Sequence, residues 1–204
     1  MENSGKNIAP MLRLRRLLKR VAEINKYDRY QYEIIACLTL GILFGCVTQS
    51  LYGHGNDWQG TLEGYCAGFI PPMKAVTPVT LGFLAAIFLC APFRFARLII
   101  YPGTVFRGMG FGALICGALQ RGSLREMAFA ALALLPYTAA NCVFTVYAGE
   151  FALGLSEAFT SENRGMTGNL LLHTAKMTSF YLAISAASCF IFAGTCRFFG
   201  LYLI

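Results

Sequence analysis

Carboxylates are scarce in this sequence and badly placed for chemistry inside a membrane. Only two aspartates occur, Asp28 and Asp57. Both fall outside the long apolar runs, which excludes an intramembrane aspartyl pair. The two histidines, His54 and His173, also lie outside those runs, so no imidazole stands mid-run to activate a nucleophile. Ser156 lacks the glycine context of a serine nucleophile. There is no HExxH, which removes the common zinc-protease arrangement, and no GxxxxGK[ST], which removes ATP binding by that route. Cysteine is plentiful, at eight, but no CxxC pair exists. Cys37, Cys46, Cys90, Cys116, Cys142 and Cys189 sit inside apolar runs, where cysteine behaves as a small hydrophobe. His54, Asp57 and Glu63 share a polar stretch, but no spacing fixes three ligands, so a solvated loop is the simpler reading. Glu33, Glu126 and Glu150 each fall near the end of an apolar run and read as interface residues. No catalytic residue, cofactor site or metal site is expected.

Charge is the second deficit. Only 13% of residues are charged against 56% hydrophobic, with a mean hydropathy of +0.56. A soluble domain carries about 25% charged residues, so the composition points to an all-α polytopic membrane protein with the lipid bilayer as its first partner. The net charge of +7 invites a nucleic-acid reading, but its distribution argues against one. Eight basic residues fall within the first 29 positions: Lys6, Arg13, Arg15, Arg16, Lys19, Arg20, Lys26 and Arg29. Such clustering is a topology and lipid-headgroup signal. Leu12, Leu14, Leu17, Leu18, Val21 and Ile24 are interleaved with these residues. Residues 1–30 therefore read equally well as an amphipathic helix on an anionic leaflet or as a positively charged flank.

The stretch from Cys90 to Leu119, CAPFRFARLIIYPGTVFRGMGFGALICGAL, organises the remainder. Its apolar halves suit lipid, and its glycines suit a closely approaching helix. Arg94, Arg97 and Arg107 read as marking an aqueous turn between two spans, with Pro92 closing the first. A helical membrane domain over 31–204 is expected to contain about five spans, near 31–52, 76–93, 104–120, 127–148 and 177–195. The third is the shortest, and its length leaves open whether it crosses fully. Pro71-Pro72 is expected to end any local helix, and Pro78 to fall in the first turn of the second span. Gly41 and Gly45 form a GxxxG step, and Gly108 and Gly112 share one face of the third span. Pro136 in the fourth span frees a carbonyl that needs a partner. Asn141, five residues on, is expected to face the bundle as polar glue. These eight residues, Gly41, Gly45, Pro92, Arg107, Gly108, Gly112, Pro136 and Asn141, are the candidates for helix packing or partner contact. Cys66 and Cys196 fall near the same end of the bundle, and two free thiols are the simpler expectation than a disulfide.

Three places carry a resemblance to a known family. Leu40-Gly41-Ile42-Leu43-Phe44-Gly45 in the first span is one. The second runs from Cys90-Ala91-Pro92 to Arg107-Gly108-Met109-Gly110-Phe111-Gly112, and the third is Leu134-Leu135-Pro136 followed by Asn141. Across roughly 31–148 the chain resembles the stage II sporulation protein M family of endospore-forming bacteria, and its length and span count fit as well. The resemblance implies a non-enzymatic scaffold in the septal cell membrane during forespore engulfment. Its implied partners are wall hydrolases resembling stage II sporulation proteins D and P, and its small-residue faces also permit a homo-oligomer. A membrane subunit of a small-molecule or lipid transporter is the alternative reading, with Asn141, Pro136 and the glycines lining a path.

Placing the N-terminus inside puts 13 of the 17 Lys and Arg residues on the cytoplasmic side, so the C-terminus is expected outside. A reporter active only in the cytoplasm, fused after Ile204, is therefore expected to be silent. A strong signal would mean an even number of spans.

Overall fold

A computed structural model describes residues 8–53, 64–120, 124–161 and 168–202, with side chains of the first helix described from Arg29 onward. His54, Asp57, Glu63 and the side chains of the basic residues up to Lys26 lie outside the described residues. The protein is an all-α multi-pass membrane protein. Among the described residues there is no strand, and five helices are long and apolar enough to cross a bilayer.

Helix α1 runs without a break from Ile8 to Tyr52. Pro10 stands in its first turn, where a missing N–H costs nothing, and no glycine or proline follows until Gly41. Its 45 residues span about 68 Å, more than twice the hydrocarbon thickness. The basic segment and the first span are thus one rod.

Helix α2 covers Ile70–Cys90. A helical stretch at 64–66 ends before Pro71-Pro72, as expected, but the pair itself opens the span at 70 rather than 76, because both prolines occupy its first positions. Pro78, expected in the first turn, instead lies inside α2. The helix stops at Cys90 rather than at 93: Ala91 keeps helical dihedrals and still donates to the Ile87 carbonyl, but Pro92 has no N–H with which to continue the ladder. A tight turn follows, in which Phe93 N–H bonds the Cys90 carbonyl and Ala96 N–H bonds the Phe93 carbonyl, both at 3.0 Å.

Helix α3 covers Ala96–Gln120, eight residues earlier than expected, because Pro102 sits inside the helix without ending it. Its 25 residues reach about 37 Å, enough to cross. Arg107 therefore does not mark an aqueous turn. It lies near the middle of a span and is buried. The other two arginines of that group, Arg94 and Arg97, remain exposed.

A short helix α4 (Leu124–Phe129) leads through a π-helical stretch (Ala130–Leu134) into α5 (Leu135–Ser161), and α6 covers Gly168–Tyr202. The π stretch follows from Pro136. Widening the turn lets Leu135 N–H bond the Ala130 carbonyl and places the proline in the opening turn of α5. The Thr138 hydroxyl donates to the Leu134 and Leu135 carbonyls at 2.9 and 3.0 Å, which lie beyond the carbonyl that Pro136 leaves without its N–H.

The spans alternate in direction. At one end Tyr30, Ile34, Ile87, Ala91, Ala96, Ile100, Ala152 and Leu153 pack together. At the other, Cys66, Phe129, Leu134 and Tyr137 meet Phe192, Cys196 and Phe199. The first of these ends is tied by charge. Glu157 accepts from Tyr30 and Arg97, Glu33 accepts from Tyr101 and Arg29, and Gln31 donates to Glu150 at 2.6 Å. This network clamps α1, α3 and α5.

The most extensive interface joins α1 to α3, and it is made of backbone. A Cβ on Gly41 would strike the Val105 carbonyl, and one on Gly45 the Met109 carbonyl. From the other side, a Cβ on Gly108 would strike the Leu38 carbonyl, and one on Gly112 the Ile42 carbonyl. The two glycine steps face one another. By contrast, Gly82, Gly110 and Gly194 meet nothing within 4 Å.

Gly108→Leu is expected to destabilise the fold by about 3 kcal/mol or more, because the obstruction is backbone that cannot step aside. Gly82→Leu is expected to stay within about 1 kcal/mol. Detergent-denaturation midpoints of the two variants check this, and similar midpoints would refute the backbone contact.

Candidate functional site

Four polar or charged side chains from three helices converge inside the bundle. Thr80 comes from α2, Arg107 from α3, and Tyr137 and Asn141 from α5. The glycine register places them. With Gly108 and Gly112 turned to α1, the neighbouring Arg107, about 100° round the helix, points toward α2 and α5.

Arg107 is 8% exposed and Asn141 2%. Arg107 Nη2 donates to Thr80 Oγ1 at 2.8 Å and, at a longer 3.3 Å, to Asn141 Oδ1. Asn141 is held in turn, donating from Nδ2 to the Tyr137 carbonyl at 2.8 Å. Thr80 Oγ1 and the Tyr137 hydroxyl are 2.9 Å apart. Because Thr80 already accepts from Arg107, its own proton is available to Tyr137. The guanidinium carbon lies 4.8 Å from the Phe111 ring centre and 5.5 Å from that of Phe83, so two aromatic faces share the charge. The Tyr137 ring packs on Phe192 at 4.5 Å between centres.

Two features leave this arrangement incomplete. Arg107 Nε is buried with no hydrogen-bond partner. Moreover, Arg107 makes no ion pair among the described residues, where Arg29–Glu33 and Arg97–Glu157 are the pairs formed. Arg107, Thr80 and Tyr137 border a cavity of about 250 Å³ that reaches Tyr65. Its mouth lies between α2 and α3, where the lining residues Ala75, Val79, Phe106 and Gly110 are exposed.

Of the other buried hydroxyls, Ser185 Oγ on α6 has no hydrogen-bond partner, whereas Thr104 and Thr145 serve their own helices. Thr104 bonds the Ile100 carbonyl at 2.7 Å and Thr145 the Asn141 carbonyl at 2.7 Å. They do not extend the site along the bundle. Cys66 and Cys196 are buried in one cluster and unbonded, and burial pushes the Cys66 thiol above its ordinary range.

The eight candidate residues thus separate. Gly41, Gly45, Gly108 and Gly112 form the α1–α3 contact, and Arg107 and Asn141 meet in the interior. Pro92 and Pro136 are exposed, away from the polar cluster. Thr80, Tyr137, Phe83 and Phe111 were missed. The available signal was Tyr137 between Pro136 and Asn141, a polar tip four residues before a buried amide on the same helix face. Comparison with protein-family profiles, with characterised proteins and with solved structures yields no match.

Asn141→Ala is expected to cost about 2–3 kcal/mol, since it strips an acceptor from a buried cation. Tyr137→Phe is expected to cost about 1 kcal/mol, because Thr80 still receives Arg107. Unfolding midpoints in mixed micelles should rank the variants in that order.

Proposed function

We propose that this protein is a non-enzymatic membrane scaffold that gathers partner proteins through its spans. The observation carrying this reading is the placement of three glycines. Gly82, Gly110 and Gly194 lie on the exposed surfaces of α2, α3 and α6, where a Cβ would meet no described residue of another helix within 4 Å. Glycine weakens a helix unless something approaches closely, and in lipid the thing that approaches is another helix. The glycines first considered for partner contact are occupied internally, so these three are the available faces. The resemblance to the stage II sporulation protein M family supports a more specific setting. In that setting the protein would sit in the septal cell membrane with its N-terminus in the cytoplasm, holding wall-remodelling hydrolases during engulfment. Arg107 lies inside a span and leaves the count of cytoplasmic charge, but the excess on that side persists.

A second reading, a transporter subunit, is favoured by the polar cluster around Arg107 near mid-depth. Against it, the buried threonines Thr104, Thr138 and Thr145 bond carbonyls of their own helices and mark no continuous path.

Affinity isolation from membranes of the parent organism separates the two. The triple variant Gly82→Leu, Gly110→Leu, Gly194→Leu is expected to fold normally and to lose at least about tenfold of the co-isolated wall hydrolases. Undiminished recovery would overturn the scaffold reading. Solute or lipid movement catalysed by the purified protein in vesicles would favour transport.

A further inference from the structure

Arg107 carries a full charge near the middle of the bundle, and no described neighbour neutralises it. It stands eleven residues after Ala96 and thirteen before Gln120, about 17 and 20 Å from the two ends of α3. A charge at that depth is ordinarily paired. Among the described residues, a second copy of this chain supplies no counter-charge at this depth. The acidic residues described within its spans, Glu33, Glu150 and Glu157, all sit in the network at the far end of the bundle. Nor does a phospholipid headgroup reach it readily, since phosphates lie outside a hydrocarbon layer about 30 Å thick.

The cavity beside Arg107 narrows the choice further. At about 250 Å³ it falls below the roughly 300–1,000 Å³ of pockets that hold drug-sized ligands. That is room for a side chain, not a two-chain lipid. Its mouth is edged by Ala75 and Val79 on one helix and by Phe106 and Gly110 on the other, and the face of Gly110 looks onto open space. Ala75 and Gly110 let a helix backbone lie close there, and the exposed Val79 and Phe106 offer it apolar side chains to pack on.

We propose that the groove between α2 and α3 seats a membrane-spanning helix of a different protein, one carrying an aspartate or glutamate near the middle of its span, whose carboxylate pairs with Arg107. This rests on the scaffold reading and names the chemistry of one partner. The acid enters beside Thr80 and Tyr137, and each charge removes the cost of the other's burial. A carboxylic acid in lipid is otherwise protonated or rejected, so the pairing selects a partner by charge as well as by shape.

The test uses the full-length protein in phosphatidylcholine vesicles and a synthetic leucine–alanine spanning peptide with one central glutamate. Its control is the same peptide with glutamine, and association is followed by energy transfer. The glutamate peptide is expected to bind about tenfold more tightly than the glutamine peptide. The preference should vanish with Arg107→Gln. With Gly110→Leu, which keeps the charge and fills the mouth, both peptides should bind weakly. Equal binding of the two peptides, or a glutamate preference that survives Arg107→Gln, would overturn the proposal. Loss of the preference on adding phosphatidylglycerol would assign the cavity to a lipid anion instead, and would overturn it as well. Co-isolation of wall hydrolases with Arg107→Gln from native membranes distinguishes the two levels. Retained partners together with equal peptide binding would sink this site and leave the scaffold standing.

Discussion

Backbone meeting backbone between α1 and α3 is the constraint on which the bundle depends. Four glycines, two on each helix, bring backbone against backbone along the centre of the contact, with side-chain bonds such as Tyr101–Glu33 and Gln120–Ser50 flanking it. In lipid no hydrophobic effect drives helices together, so attraction must come from van der Waals contact at short range. Glycine supplies that range at the cost of helix propensity, a cost the surrounding bilayer makes bearable because unfolded backbone there has nowhere to hydrogen-bond. Once the two helices lock, the rotation of α3 is fixed, and with it the direction of every other side chain on that helix.

Arg107 follows from that rotation. Its neighbour Gly108 must face α1, so the arginine is turned inward toward α2 and α5 and cannot reach water along the outside of the bundle. Inserting an arginine at mid-span costs about 3 kcal/mol on translocon scales. Two hydrogen bonds to a charged donor contribute about as much, here those to Thr80 and Asn141. The aromatic faces of Phe83 and Phe111 add a smaller share. The cluster therefore roughly offsets the cost and leaves no surplus. A leucine at the same position would fill the space without any of these requirements.

The existence and number of the spans were legible in the sequence because hydropathy over some 20 residues is a strong signal. The tendency of Gly41, Gly45, Gly108 and Gly112 toward close packing was legible too. That the two pairs face each other was not, since a GxxxG step declares a face and not a mate. The expected ends at 52 and 120 match those of α1 and α3 and the one at 93 overruns α2, whereas the expected spans fall short where α1, α5 and α6 run well beyond the hydrocarbon. Apolarity stops at the lipid boundary, whereas backbone hydrogen bonding does not. Prolines misled in both directions. Pro71-Pro72 opens α2, and Pro102 is absorbed within α3, because what matters is whether the missing N–H had a partner to lose. The error over Arg107 came from the same source. Five residues after Pro102, with Arg94 and Arg97 upstream, an arginine reads as part of an aqueous turn. Only the continuity of α3 through Pro102 reveals it as interior.

A buried arginine at break-even is informative because stability alone gives no reason to keep it. Other buried polar residues carry less liability, as Thr104 and Thr145 show by bonding carbonyls of their own helix. Arg107 instead keeps an unpartnered Nε and borders an opening to the membrane. A guanidinium partly satisfied by neutral groups still has its long-range field, which in a medium of low dielectric extends across the groove. Neutral helices gain nothing from that field, cationic ones are repelled, and one bearing a carboxylate is drawn in. The bundle can thus remain folded while empty and still discriminate among the helices that diffuse past it, which is what the proposed scaffold role would require.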